Sequence, residues 1–365
     1  MGVSVAVRPA LGRSRVTRAG FVLGAGAALL AVALIAGVGL GSVPIGAGET
    51  VEVLAHRLLG IGSSTGVSDA TETILWDLRL PRVLAAMLVG GGLACAGAVF
   101  QALFRNPLAD PYIIGTAAGA SLGAVAGIVV PLLVPALALG AGTAWLGIGL
   151  VQVLAFAGGL ATVLFVLRLA RVGDRIDVVT LLLVGYSVSA VLAAGVALLM
   201  FWSGRALSAV FAWLMGSMAG ASWMDLAVAA PLVAVAFGAL LVRWRRLNVL
   251  LLGDAAASHL GMDVEREKWI LALLATLATS AVVAVAGTIG FIGLVVPHLV
   301  RLVLGSDHRL LLPASLLYGA ALLALADLGA RLANGIPVGI VTALLGAPFF
   351  LYLLRRGRAV AIGRP

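Results

Sequence analysis

The sequence predicts an all-α polytopic membrane protein of about ten transmembrane helices, with both termini on the cytoplasmic side. Three observations predict it. The 365 residues are 62% hydrophobic and 11% charged, with a mean hydropathy of +1.17, whereas a water-soluble domain carries roughly a quarter charged residues. Apolar runs of about 20 residues recur along the chain, each long enough to cross a bilayer as a helix; a β-barrel would alternate over roughly ten-residue segments. Lys and Arg collect on one side of that pattern, as the positive-inside rule requires.

Taken in order, residues 1–20 form a basic, cytoplasmic amino terminus bearing Arg8, Arg13, Arg15 and Arg18. The first run, Phe21–Leu40, is longer than a signal-peptide core and no clear small-x-small cleavage site follows, so it reads as an uncleaved helix. The remaining spans are Val83–Leu103, Ile113–Val130, Leu146–Leu167, Val178–Met200, Trp223–Val242, Trp269–Ala286, Phe291–Leu304, Leu310–Leu332 and Val338–Leu354. A tight Asn334-Gly335-Ile336-Pro337 turn separates the last two. Residues 21–354 thus form one membrane domain, and 355–365 form a basic cytoplasmic tail.

With the amino terminus inside, 19 of the 24 Lys and Arg fall on inner segments, and the outer side keeps only Arg57, Arg79, Arg82, Arg205 and Arg331. An odd number of spans would destroy this bias. Two segments are too polar to span. The first outer loop, Gly41 to Arg82, contains GIGSSTGVSD and WDLRLPR. The inner segment 248–268 (NVLLLGDAAASHLGMDVEREK) has the character of short helices at the membrane surface. Trp202, Trp213 and Trp223, near the outer ends of spans five and six, fit an interfacial belt or, with Met200, Met215 and Met218, the lining of a bulky ligand's path.

The net charge of +9 is spread between the apolar runs rather than gathered into a nucleic-acid patch, and the single Cys95 excludes a disulfide framework. No GxxxxGK[ST] phosphate loop, HExxH or GxSxG occurs, so neither ATP binding of that type nor catalysis by this chain is expected. The scattered His56, His259, His298 and His308 have no metal-ligand spacing, and no metal site is expected. Asp327 and Arg331 lie four apart on span nine and can face one another. An ion-coupled secondary carrier is the alternative from another class, with Asp327 as its clear intramembrane carboxylate.

From Arg79, the stretch RLPRVLAAMLVGGGLACAGAVFQALFRNPLADPYIIGTAAGAS resembles the signature of the FecCD-type permeases, the membrane subunits of bacterial importers for iron–siderophores, haem and vitamin B12. WLMGSMAGASW, LGDAAASHLGM, VAVAGTIGFIGLVVPHLVRLVLGSDHRLLLPAS and the run from Leu325 to Leu354 extend the resemblance over nearly everything after residue 75. It implies a type II ABC importer permease in the bacterial plasma membrane, which is a transport subunit and not an enzyme. The implied partners are a second permease copy, two ATPase subunits on the cytoplasmic face that use ATP and Mg²⁺, and an extracytoplasmic solute-binding protein. An iron complex, siderophore-bound or haem, is the implied cargo, with vitamin B12 the alternative.

Residue by residue, the resemblance assigns Arg79, Arg82 and Arg331 to docking of the binding protein. It assigns Gly253, Asp254, Ser258, His259 and Gly261, with the neighbouring turn Asp307, His308 and Arg309, to coupling with the ATPase. Asn106 and Leu108 match a stretch that narrows the inner end of the pore. Span five matches the pore-lining helix, with Tyr186 and Ser189 as polar handles; many relatives carry a small aliphatic residue in place of Tyr186, so that residue is as well explained as a packed tyrosine bonded to a neighbouring helix.

Overall fold

A computed structural model describes residues 11–41, 43, 45–60, 67–134, 149–173 and 175–362. Arg8, the 61–66 part of the first outer loop, the start of the fourth expected span (146–148) and Arg364 lie outside the described residues.

Every expected span falls on a helix. The long ones are α1 (Leu11–Gly39), α4 (Leu80–Leu103), α5 (Thr116–Leu133), α6 (Leu150–Leu169), α7 (Val178–Trp202), α9 (Trp223–Val242), α12 (Val264–Ala286) and α14 (His308–Leu332). Two apolar helices are shorter: α13 (Ile292–Leu304) and the apolar part of α15 (Val338–Ile362). The polar connections fold as well. The first outer loop holds α2 (Ala47–Leu59) and α3 (Asp69–Thr73), and an apolar helix absent from the sequence reading, α8 (Leu207–Leu214), follows α7. The inner segment forms α10 (Trp244–Leu250) and α11 (Asp254–His259). A two-residue hairpin, β1 (Arg171–Val172) with β2 (Arg175–Ile176), joins α6 to α7.

Boundaries differ from expectation where local chemistry overrides hydropathy. The second span extends upstream through a π-helical stretch, Ile74–Arg79, into α3, giving one rod from Asp69 to Leu103. α12 starts at Val264 because Asp263 caps it, accepting from the backbone N–H of Arg266 at 3.1 Å. α14 starts at His308 because Asp307 caps it in the same way through Arg309. α15 runs on to Ile362, so most of the expected basic tail is a helical extension.

The core is built around α4, whose residues are nearly all buried. Lipid tails are as apolar as leucine, so membrane helices associate through close backbone packing at small residues. A Cβ on Gly90 would lie 2.1 Å from the Gly319 carbonyl oxygen of α14, and one on Gly97 would lie 1.8 Å from that of Gly293 of α13. These two crossings admit glycine alone. α1 is fastened to α14 by Tyr318, whose hydroxyl donates to the Val22 carbonyl at 2.9 Å. α7, in contrast, leaves most of its surface uncovered within one chain.

Of the outer Trp and Met group, Met218 is fully buried and Trp213 packs against the α5–α6 contact. Trp223 stacks near Trp76 at 5.2 Å and donates from Nε1 to its carbonyl at 3.0 Å. These three are packing residues in one chain, while Trp202 is half exposed.

Candidate functional site

At the end that the charge bias places outside, α1, the π-helical stretch and the Asn334–Gly335 turn enclose an open cleft of about 930 Å³, lined by Arg79, Arg82 and Arg331. Asp327, only 1% exposed, is held between two guanidinium groups. Arg82 engages it bidentately, from Nε to Oδ2 at 2.9 Å and from Nη2 to Oδ1 at 2.8 Å. Arg331, one turn further along α14, places Nε 3.3 Å from Oδ2. The Arg82 fork supplies the hydrogen bonds that make a buried carboxylate tolerable, while Arg331 Nε adds its charge without a hydrogen bond.

Two of the three arginines, Arg79 and Arg331, close the end of α1. The last carbonyls of a helix lack intrahelical partners and carry the negative end of its dipole. Arg79 donates to Val38 at 3.1 Å, to Gly39 at 3.0 Å and to Val43. Arg331 donates to Gly37 at 2.7 Å and to Leu40 at 3.4 Å. Gly41 lies against them: a Cβ there would meet the Arg79 guanidinium at 2.8 Å and push it aside. The cleft brings together all three arginines singled out in the sequence and gives each a structural bond. Arg79 is buried; Arg82 and Arg331 keep part of their side chains open to the cleft.

At the inner end, α11 presents Ser258 and His259 outward, with exposed Leu252 and Leu260 on either side. Gly253, at φ +98°, lets the chain turn into α11 beside Arg105, whose Nη1 lies 3.0 Å from where a Cβ would sit. Asp254 is tied to Lys268 Nζ at 2.7 Å and lies 3.6 Å from Arg105. Gly261, at φ +81°, closes α11 with paired bonds, its N–H to Ser258 and that of Met262 to Ala257. Asp307 and Arg309 are exposed, but His308 is fully buried. His308 therefore braces this surface from below and offers it no contact.

The two narrowing residues meet locally. Asn106 Oδ1 accepts from the backbone N–H of Leu108 at 3.0 Å, a turn that follows the left-handed Arg105. Tyr186 and Ser189 part company. Tyr186 is 76% exposed on the open face of α7, so it does not pack as a tyrosine bonded within this chain. Ser189 turns toward the start of α5 and donates to the Gly185 carbonyl at 2.7 Å.

Several groups escaped the sequence reading. Asp110, between α4 and α5, accepts from the Tyr112 N–H at 2.8 Å, and burial pushes its carboxyl up to about 6. Tyr112 then bridges to Ile289, donating to its carbonyl at 3.1 Å and accepting from its N–H at 3.2 Å. Glu267 gathers Arg246 at 2.8 Å and Arg243 at 3.6 Å. Asn248 joins α10 to the Asp307–His308 turn. The i,i+4 spacing exposed Asp327–Arg331; no spacing rule signals partners far apart in the chain. Among the described residues, no group of three or more His, Cys, Asp or Glu could hold a metal ion.

A bundle of apolar helices wrapped on α4, with an arginine cleft at one end and exposed short helices at the other, defines a multi-pass membrane protein. The chain belongs to the FecCD transport family, whose profile matches residues 29–356. It is 43% identical to the cobalamin import system permease protein BtuC of Halobacterium salinarum, over 80% of this chain and 75% of that protein. It is 41% identical to the hemin transport system permease protein HmuU of Yersinia pestis, over 81% of this chain and 87% of that one. A solved metal-chelate type ABC transporter in an inward-facing conformation matches with a TM-score of 0.76 at 29% identity, covering 92% of this chain and 99% of that chain. The protein is thus an ABC importer permease, a transport component rather than a catalytic one.

Proposed function

We propose that this permease carries an iron complex, siderophore-bound or haem, across a bacterial plasma membrane through a pore formed between two copies of the chain. The observation that carries the pore assignment is the open face of α7. Val179, Leu183, Tyr186 and Val191 are each more than 60% exposed there, and Ser187 and a run of alanines share the surface. The hydroxyls of Tyr186 and Ser187, set with alanines among larger apolar side chains, suit a second copy and a bulky cargo better than they suit lipid alone. The cargo class rests on the hemin permease and the metal-chelate transporter among the relatives. Vitamin B12 is the second reading, favoured by the 43% identity to a cobalamin permease.

On this reading, a solute-binding protein delivers cargo at the arginine cleft. Two ATPase subunits, which hold ATP and Mg²⁺, grip the surface formed by α11 and the Asp307–Arg309 turn. The test is uptake into proteoliposomes containing the permease, its ATPase and its binding protein, with ferric siderophore, haem and cyanocobalamin offered in turn. ATP-dependent accumulation of an iron complex supports the proposal. Accumulation of cyanocobalamin alone replaces it with the second reading, and uptake driven by an ion gradient without the ATPase would contradict both.

A further inference from the structure

We propose that Asn248 is the positioning residue that ties the ATPase-facing segment to the inner end of α14, so that movement of that segment is delivered along α14 to the arginine cleft. The inference rests on the transport reading above. Asn248 lies on α10, one short turn before the exposed α11, and its amide reaches residues some 60 positions later in the chain. Nδ2 donates to Asp307 Oδ1 at 2.8 Å. Oδ1 accepts from the His308 backbone N–H at 2.9 Å and lies 2.8 Å from the ring Nδ1, which must then carry its hydrogen. One side of the amide faces a carboxylate and the other faces two donors, so only one orientation satisfies it.

Both sides of this tie are stiff. On one side, Lys268 clamps Asp254 of α11 to the start of α12, and Arg246 binds Glu267 there. On the other, Asp307 caps α14 and His308 is wholly buried beneath it. α14 spans 25 residues, close to 37 Å at about 1.5 Å per residue. It is locked against α4 at Gly90–Gly319, and its outer end carries Asp327 and Arg331. The contact between Arg309 and the Trp244 ring, 6.0 Å from centroid to guanidinium, is a looser second link between α10 and α14.

The test uses the complete transporter in nanodiscs and reads the ratio of ATPase rates with and without loaded binding protein. Asn248→Asp sets a carboxylate against Asp307, and the ratio is expected to fall about fivefold or more, within the ordinary range of coupling free energies. Asp307→Asn added to it exchanges the two groups. The amide at 307 still caps α14 and the carboxylate at 248 still accepts from His308. Because Asp307 also lies on the surface assigned to the ATPase, the reference is Asp307→Asn with Asn248 intact, and the double variant should come within about twofold of that reference. Should Asn248→Asp fail to assemble, Asn248→Ala removes the bond without adding charge and is expected to lower the ratio in the same direction.

A wild-type ratio in both Asn248 variants overturns the proposal. So does a loss in Asn248→Asp that the double variant does not regain, because a merely structural defect would not be cured by exchanging the groups. A wild-type transporter whose ATPase never responds to binding protein would instead sink the transport reading itself.

Discussion

Asp327 and Asp307 lie near opposite ends of α14 and are used in opposite ways. Asp327 is buried, gripped by Arg82 and Arg331, and shares Arg331 with the carbonyls that end α1. Asp307 is exposed, and its partners are an amide and the backbone of its own helix. Charge at the outer end holds three helices together before any partner arrives. At the inner end, the exposed tip of α11 is left free while bonds behind it hold it in place. The two proposed docking surfaces thus differ: one is built from groups that also support the fold, the other from a projecting element supported by others. Substitutions should separate the two designs.

The largest difference is expected in stability. Asp327→Leu leaves two guanidinium groups facing each other in a buried site, and breaking such a pair costs about 3–5 kcal/mol. Asp254→Asn, at a half-exposed carboxylate whose buried partner Lys268 keeps Glu265 at 3.3 Å, should cost about 0–1 kcal/mol. Thermal unfolding of the two variants in nanodiscs reads this directly; equal losses would erase the contrast between the ends. A second expectation concerns transmission. Nothing lies within 4 Å of a Cβ built on Gly261, although its φ of +81° makes any side chain strained. Gly261→Trp should insert normally, yet put bulk beside α11 and let ATP be hydrolysed without uptake. Fully coupled uptake in that variant would remove α11 from the ATPase contact.

The smallest effect is a pH dependence at Asp110. Its carboxyl titrates near pH 6 in the fold instead of near 3.8, because burial disfavours the charged form. A raised pKa in the fold stabilises the protein fully below about pH 4, and that contribution is lost as pH rises through about 6. Asp110→Asn keeps an acceptor for the Tyr112 N–H and cannot ionise. Its stability relative to wild type should therefore improve from pH 4.5 to about 7 and then level off. A difference independent of pH would mean that Asp110 is not the titrating group.

Much of this was readable in the sequence because hydropathy and charge bias are local signals. They placed the eight long apolar helices and the two shorter ones at Ile292–Leu304 and Val338–Tyr352, and the i,i+4 rule paired Asp327 with Arg331. Contacts across the fold were not readable. Arg82 meets Asp327 across 245 residues, and Asn248 meets Asp307 across 59, distances at which no periodicity carries information. Burial was equally hidden. His308 belongs to the same motif as exposed Asp307 and Arg309, yet the helix start turns its ring inward. Tyr186 and Ser189, three apart on α7, separate because the start of α5 packs on one side only. The π-helical stretch before α4 had no signal at all in composition.

On the proposed reading, the outer arginine cleft both holds α1 and receives carboxylates of the solute-binding protein. Arg79 is too deeply committed to Val38 and Gly39 to test it cleanly, so Arg82 and Arg331 are the informative positions. Binding-protein affinity should be measured in nanodiscs for Arg82→Glu, Arg331→Glu and the corresponding Lys variants across a salt series, with thermal stability recorded in parallel. The account predicts that the Glu variants bind at least about tenfold more weakly, since like charges at an interface cost more than 1.4 kcal/mol. The Lys variants should lose less, lacking the planar fork, and wild-type binding should weaken as salt screens the site. Glu variants that lose stability yet bind as tightly as wild type at low salt would contradict the claim and leave the cleft with a purely structural role.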